Sequence, residues 1–215
     1  MQQTQVTPYL VVHHSPLKRL FDLTFSFFAL LLGSPLFLLL ALAVFFTSKG
    51  PLIYAHKRVG RGGKIFKCYK FRTMHLDADE RLHHLLAEDI DLQNEWNQFY
   101  KLKNDPRVTP IGNFLRKTSL DELPQFLNVL KGDLSVVGPR PVTEEELKIY
   151  GASVNKFLAI RPGLTGPWQV SGRSDTTYRE RVELDLTYVE EHSFVGDLRL
   201  IIRTIPAMVT SRGAY

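Results

Sequence analysis

LTFSFFALLLGSPLFLLLALAVFFTS, residues Leu23 to Ser48, carries no charged side chain. As a helix rising about 1.5 Å per residue it runs roughly 39 Å, longer than the roughly 30 Å hydrocarbon layer of a bilayer. A secretory leader has a shorter apolar core and a small-residue cleavage site; this run is too long, and no Ala-x-Ala follows it. Membrane association is therefore the first expectation. Gly33, Ser34 and Pro35 fall near the middle. Proline lacks a backbone N–H and its ring crowds the preceding turn, so a bend is expected there. Membrane helices tolerate proline, and a kinked single pass is one reading. In the other, each half is only about 18 Å long, reaches the midplane and returns. Lys18 and Arg19 precede the run, and Lys49, Lys57 and Arg58 follow it. Basic residues favour the cytoplasmic side, and their presence at both ends fits a return.

Outward from that run, residues 1–16 hold no periodic apolar pattern and read as an N-terminal tail, 17–48 as the membrane segment and 49–215 as one domain. The 215-residue length suits a domain with a real core plus a small appendage. A chain 44% hydrophobic and 23% charged is not a disordered one. The net charge of +5 calls for an anionic partner, whether nucleic acid, a phosphorylated substrate or a lipid surface. A single cysteine, Cys68, excludes an internal disulfide and a cysteine-based metal knuckle, and packing is its expected role.

Pro51 to Met74 reads as two short strands around the Gly60–Gly63 turn. MHLDADERLHHLLAEDIDLQNEW puts Leu82, Leu85, Leu86 and Ile90 on one helix face; His83 and His84, adjacent, point apart and make a poor metal pair. A short helix through Phe114 to Arg116, another starting near Pro124, and helices over TEEELKIYG and TYRERVELDLTYVEEH follow. DLRLIIRTIPAMVT spaces Leu198, Ile201, Ile202 and Ile205 around Arg199 and Arg203, as in a helix lying at a membrane interface or a core helix. The class is α+β, mostly helical with a small sheet, carrying a membrane helix and interface helices.

KTSLDELPQFLNVLKGDLSVVGPRP, Lys117 to Pro141, holds the chemistry. Ser119-Leu120-Asp121-Glu122 fits a capping box, which would make these side chains purely structural. That reading puts Pro124 inside the helix, where it clashes; proline at the first helical position is better tolerated. Asp121 and Glu122 then sit in the turn leading into the helix, an anion-binding position. An aspartate so placed can attack phosphorus, and a neighbouring glutamate can hold Mg²⁺. From Lys57 to Arg72 there are seven Lys or Arg and no acid, a run suited to a diphosphate or to lipid head groups, or simply a solvated strand face. Gly60 to Lys64 lacks the spacing of a phosphate loop and reads as a hairpin turn. Trp168 and Gln169 could touch a base or anchor their loop.

Together, KFRTM at Lys70 to Met74, SLDELPQFLNVLKGDLSVVGPRP at Ser119 to Pro141 and RPGLTGPWQVSGR at Arg161 to Arg173 resemble the bacterial sugar transferase family, the monotopic polyprenyl-phosphate phosphoglycosyl transferases. The resemblance spans about residues 17 to 215. It implies transfer of a sugar-1-phosphate, of a hexose by the look of RPGLTGPWQVSGR and the ending GAY, from a UDP-sugar such as UDP-glucose or UDP-galactose to undecaprenyl phosphate. UMP is released, and polysaccharide or glycoconjugate assembly begins. It implies Asp121 as nucleophile, Glu122 as Mg²⁺ ligand, and Lys70, Arg116 and Arg140 as phosphate-binding residues; the basic run adds Arg72 as a further phosphate-binding candidate. Ser34-Pro35 matches the family's break in a re-entrant helix, at the cytoplasmic face of a bacterial inner membrane. The larger members carry an N-terminal extension that this chain lacks. The rival expectation is a non-catalytic membrane adaptor whose basic surface binds anionic lipid or nucleic acid. For the enzyme, no nucleic acid is expected as a partner.

Overall fold

A computed structural model describes residues 15–48, 50–99, 102–172 and 176–210. Most of the N-terminal tail, Lys49, Arg173 and the final GAY lie outside the described residues. Helix α1 (Pro16–Thr47) covers the whole apolar run in 32 residues, with Pro35 inside it. Only 11% of its most apolar window is buried, so it is no core helix; it is long and apolar enough to cross a membrane. Helical structure includes Ser34 and Pro35. Pro35 cannot donate to the carbonyl of Leu31, four residues back, but the Ser34 hydroxyl donates to that carbonyl at 2.8 Å. The orphaned acceptor is thus satisfied locally, which lets the helix carry its proline in an apolar setting.

Strands β1 (Ile53–Val59) and β2 (Ile65–Phe71) form an antiparallel hairpin around a 3₁₀ turn at Arg61–Gly63, pairing Tyr54 with Lys70, His56 with Cys68 and Arg58 with Phe66. The single amphipathic helix expected next is two, α2 (Ala78–Glu88) and α3 (Ile90–Phe99). Asp89 divides them, because its carboxylate accepts from the backbone N–H groups of Asp91 and Leu92 and caps a new helix. His83 and His84 are exposed. Then come α4 (Pro110–Thr118), α5 (Gln125–Lys131), β3 (Ser135–Val137), α6 (Glu144–Leu147), α7 (Val154–Leu158) and β4 (Gly163–Thr165). The short α8 (Pro167–Val170) precedes α9 (Tyr178–Glu191) and α10 (Phe194–Thr210).

Strands β3 and β4 pair in parallel, a second two-stranded sheet. Its backbones approach too closely for side chains: a Cβ on Gly163 would stand 2.1 Å from the Gly138 nitrogen. Small residues in GPRP and RPGLTG therefore bring Arg140 and Trp168 together. The main core joins Phe66, Cys68, Val129, Leu134, Val136 and Tyr188, with Phe21 of α1 and Ile201 of α10 packed against it. A second cluster joins Leu40 and Val44 of α1 to Phe71 and Leu115. Each such side chain contributes about 1.5–3 kcal/mol by leaving water.

Both ends of α1 therefore dock on the same domain. At its start, Asp22 is buried and accepts from the Ser135 hydroxyl at 3.0 Å and the Val136 N–H at 2.9 Å, while Lys18 reaches Asp197 and Arg19 reaches the carbonyls of Val129 and Leu130. Between the docked ends, Phe27, Phe28, Leu31, Leu32, Leu36, Leu38 and Leu39 are exposed. On α10, Val195, Leu198, Ile202 and Ile205 form a second exposed apolar stripe, while Ile201 packs inward. One face of α10 is thus core and the other bare.

Candidate active site

Helix α4 starts on Thr109, whose hydroxyl accepts from the Gly112 N–H at 3.0 Å, with Pro110 in the first turn where its missing donor costs nothing. It ends at Ser119, which lies in the left-handed region (φ 58°, ψ 17°) and is the one non-glycine residue with positive φ among the described residues. Such a conformation costs about 1 kcal/mol or more in a non-glycine residue and concentrates at functional sites. Ser119 caps nothing with its side chain, so the capping box does not form. Instead the chain makes a 3₁₀ turn at Leu120–Glu122 and enters α5 after Pro124. The carboxylates stand in the turn before the helix, where the proline argument put them.

Asp121 is 6% exposed. Lys70, from β2, places its Nζ 2.6 Å from Glu122 Oε1 and 3.5 Å from Asp121 Oδ2. Arg140, just beyond β3, brings Nη1 within 3.7 Å of the same Glu122 oxygen. The Nε of Arg116, on α4, donates to the Thr73 hydroxyl at 3.0 Å, and its charge acts on Asp121. Burial pushes the Asp121 carboxyl above the usual carboxylate range; Lys70 and Arg116 pull against this and Glu122 reinforces it. Burial also works against the charge on Lys70, but Glu122 and Asp121 outweigh it, and the ammonium is held. The result is a dehydrated carboxylate, raised in basicity and facing fixed positive charge.

Lys70, Arg116, Arg140, Asp121 and Glu122 are thus brought together, and Arg72 is not. Its guanidinium turns away to the Ser48 carbonyl at 2.6 Å, the Ser48 hydroxyl and the Pro51 carbonyl. Strand β2 ends at Phe71, so the alternation that would keep residues 70 and 72 on one face stops between them. Arg72 ties the end of α1 to the hairpin. The rest of the basic run divides: Lys57 and Lys67, opposite one another, are exposed, while Arg58 turns to Glu146. Cys68 is buried and its thiol is pushed up to about 11 by that burial, as suits packing.

A second charged cluster escaped sequence reasoning. Glu146 accepts from Arg58 at 2.7 Å and from the Thr143 N–H at 2.8 Å, and pairs with Arg181 at 3.5 Å. The Tyr150 hydroxyl donates to the buried Asp185 at 2.6 Å. Trp168, 7% exposed, has the guanidinium groups of Arg140 and Arg181 at 4.8 Å and 5.1 Å from its ring. Its Nε1 donates to Thr176, so Trp168 anchors its loop and braces Arg140. The signal available in the sequence was the capping box Thr143-x-x-Glu146 beside a basic strand, too common to single out.

For a metal, no group of three or more His, Cys, Asp or Glu side chains converges among the described residues. Asp121 and Glu122 suit a hard cation that completes its shell with phosphate oxygens and water. A carboxylate pair at a tight turn, ringed by Lys and Arg, is equipped to attack and stabilise a phosphoryl group.

Residues 13–211 match the bacterial sugar transferase family. The chain belongs to that family. This bacterial sugar transferase is 50% identical to the exopolysaccharide production protein ExoY of Rhizobium meliloti (strain 1021) over 92% of its own length and 88% of the relative's. It is 49% identical to the undecaprenyl-phosphate galactose phosphotransferase of Salmonella typhimurium, over 93% of its length and 42% of that protein. To the UDP-glucose:undecaprenyl-phosphate glucose-1-phosphate transferase of Escherichia coli (strain K12) it is 38% identical, over 93% and 41%. The bacterial sugar transferase thus spans nearly all of one kind of relative and less than half of another, and it is an enzyme of the transferase class.

Proposed function

We propose that the chain moves a hexose-1-phosphate from a UDP-sugar to undecaprenyl phosphate through an aspartyl phosphosugar, releasing UMP and opening the assembly of a polysaccharide or glycoconjugate. The carrying observation is Asp121, a buried carboxylate of raised basicity facing Lys70 and Arg116. In the first step an Asp121 oxygen attacks the phosphorus that bears the sugar, and the bond from that phosphorus to the oxygen bridging it to UMP breaks. In the second, a phosphate oxygen of undecaprenyl phosphate attacks the same phosphorus and frees Asp121. No net proton is needed in either exchange. Lys70, Arg116 and Arg140 hold the phosphate oxygens and stabilise the charge that develops on them. Covalent capture lets a water-soluble donor and a lipid acceptor visit one site in turn.

Glu122, with Asp121 beside it, would hold Mg²⁺ together with the donor's phosphates; a bound ion would neutralise diphosphate charge. The relatives named as galactose and glucose-1-phosphate transferases support UDP-galactose or UDP-glucose as donor. A non-catalytic adaptor is not favoured for a member of this enzyme family, and nothing else calls for nucleic acid.

We place α1 in the membrane as a re-entrant helix, entering and leaving at the cytoplasmic face of the inner membrane. A crossing helix of 32 residues, about 48 Å long, would carry its ends to opposite sides. Here Asp22 near one end and Leu40 and Val44 near the other pack on one domain, with the exposed apolar stretch between them. The bare stripe of α10 would then rest at the interface.

The test supplies membranes, Mg²⁺ and a panel of UDP-hexoses. UMP rather than UDP is expected, made only with a polyprenyl phosphate for continuous turnover; UDP release would mean direct glycosyl transfer. Quenching before acceptor is added should trap labelled sugar phosphate on Asp121. Cysteines at residues 17 and 48 should both label from the cytoplasmic side; labelling from opposite sides would reject re-entry.

A further inference from the structure

We infer that the nucleoside half of the donor lies along the hairpin face formed by Tyr54, His56 and Arg58, against Thr143, Glu144 and Glu145. The inference rests on the reaction proposed above. These residues line a cavity of about 350 Å³, within the roughly 300–1,000 Å³ range of small-molecule sites.

The strand register ties this cavity to the carboxylates. Tyr54 pairs with Lys70, His56 with Cys68 and Arg58 with Phe66, so the three side chains stand on the face from which Lys70 reaches Asp121 and Glu122. The charges of Lys70 and Arg58 both act on His56, and that of Arg140 acts on Arg58, so these groups lie within reach of one another's charge.

The hairpin also has a direction. Its Phe71 end packs against Leu40 and Val44 of α1, and its other end turns at Arg61–Gly63. Moving from Tyr54 to Arg58 covers about 13 Å at roughly 3.3 Å per residue, leading away from Leu40 and Val44 of α1. An acceptor phosphate on a lipid comes from the α1 side. The leaving nucleotide, the part that must depart into water, fits the opposite side.

The aromatic part of the lining suits a nucleoside. Tyr54 is 53% exposed and its ring lies 5.9 Å from that of His56, an aromatic pair open to a base. Burial, with the Arg58 charge next in weight, pushes the His56 imidazole below its usual value, and with its Nδ1 buried the ring meets a base by its apolar surface. Glu144 and Glu145 can accept hydrogen bonds from ribose hydroxyls, while Lys57 and Arg58 of the same lining offset their charge. Arg58 lines the cavity, and Arg140, whose charge acts on Arg58, lies towards the carboxylates, the direction in which the α-phosphate would lie.

The experiment uses the full chain in detergent, with UMP, inorganic pyrophosphate and galactose 1-phosphate as competitors. Wild type is compared with Tyr54→Ala and His56→Ala, with Tyr54→Phe and His56→Gln as milder variants and a melting curve for each. The Kd of UMP by calorimetry is expected to rise about tenfold or more in the alanine variants, with pyrophosphate and galactose 1-phosphate unmoved and melting unchanged. An unmoved UMP affinity, a parallel rise for pyrophosphate, or a rise for galactose 1-phosphate instead would overturn the assignment. If an alanine variant unfolds, the milder variant at the same position decides by the same comparison. Calorimetry requires no turnover, so absence of UMP release by wild type would sink the reaction without deciding the subsite.

Discussion

Two carboxylate clusters in this chain use the same residue types to opposite effect. Glu146 is saturated: Arg58, Arg181 and the Thr143 N–H all reach it. Burial works against its charge, but Arg181 and Arg58 outweigh that and hold its carboxyl below the usual range. Asp121 is no less buried, yet its ion pair with Lys70 is a longer 3.5 Å, and its carboxyl is pushed upward. A carboxylate whose lone pairs are committed to fixed donors holds structure. One desolvated faster than it is compensated keeps its basicity and can attack an electrophile.

The sharpest break of this contrast is Asp121→Asn. Turnover, measured as UMP release, is expected to fall on the order of 10⁴-fold or more, as for other lost nucleophiles, with no loss in melting temperature. A variant with substantial turnover would show that Asp121 is no nucleophile.

Lys70→Met comes next, with kcat/KM down about 10²–10³-fold, the usual loss for one charge-stabilising group. It also carries a pH signature. Turnover needs ionised Asp121, whose raised carboxyl puts the acid limb of the profile above the ordinary value of about 3.9. Removing its largest cationic counterweight should move that limb to still higher pH. A limb that stays put would separate Lys70 from Asp121.

On the structural side, Glu146→Gln leaves Arg58 and Arg181 without their counter-charge. A loss of about 2–3 kcal/mol in denaturant unfolding is expected, discounted from the roughly 3–5 kcal/mol of a fully buried pair because Glu146 is partly exposed. Activity of the folded variant should fall far less than for Lys70→Met.

The smallest effect is expected at Asp185, whose carboxyl burial raises to about 6, opposed by the Tyr150 hydrogen bond and Arg181. A raised folded value means that this group's stabilising contribution is present below about pH 4 and lost as pH rises through about 6. Asp185→Asn removes the titration while keeping an acceptor for Tyr150. The variant should therefore gain on wild type by about 2 kcal/mol between pH 4 and 7. A constant difference across that range would contradict the assignment.

Much of the fold was legible because its signals are local. The hairpin around Gly60–Gly63, helices over Tyr178–Glu191 and Phe194–Thr210, and the turn before α5 follow from glycine, proline and apolar spacing within a few residues. The departure was local too, but subtle: Asp89 caps a new helix where periodicity ran on. For the site, SLDELP identified the carboxylates, yet Lys70 and Arg72 looked equivalent until the end of β2 separated them.

What the sequence determined by itself was which segments are helix, strand or membrane-seeking, and which acids stand in a turn before a helix, since steric and capping preferences act between neighbours. Only the tertiary structure decided which cations those acids meet. Lys70 and Glu122 are 52 residues apart, Arg58 and Glu146 88, and Lys18 and Asp197 179. Charge pairing at such separations is set by how packed elements bring backbones together, and no preference within a single turn carries that information.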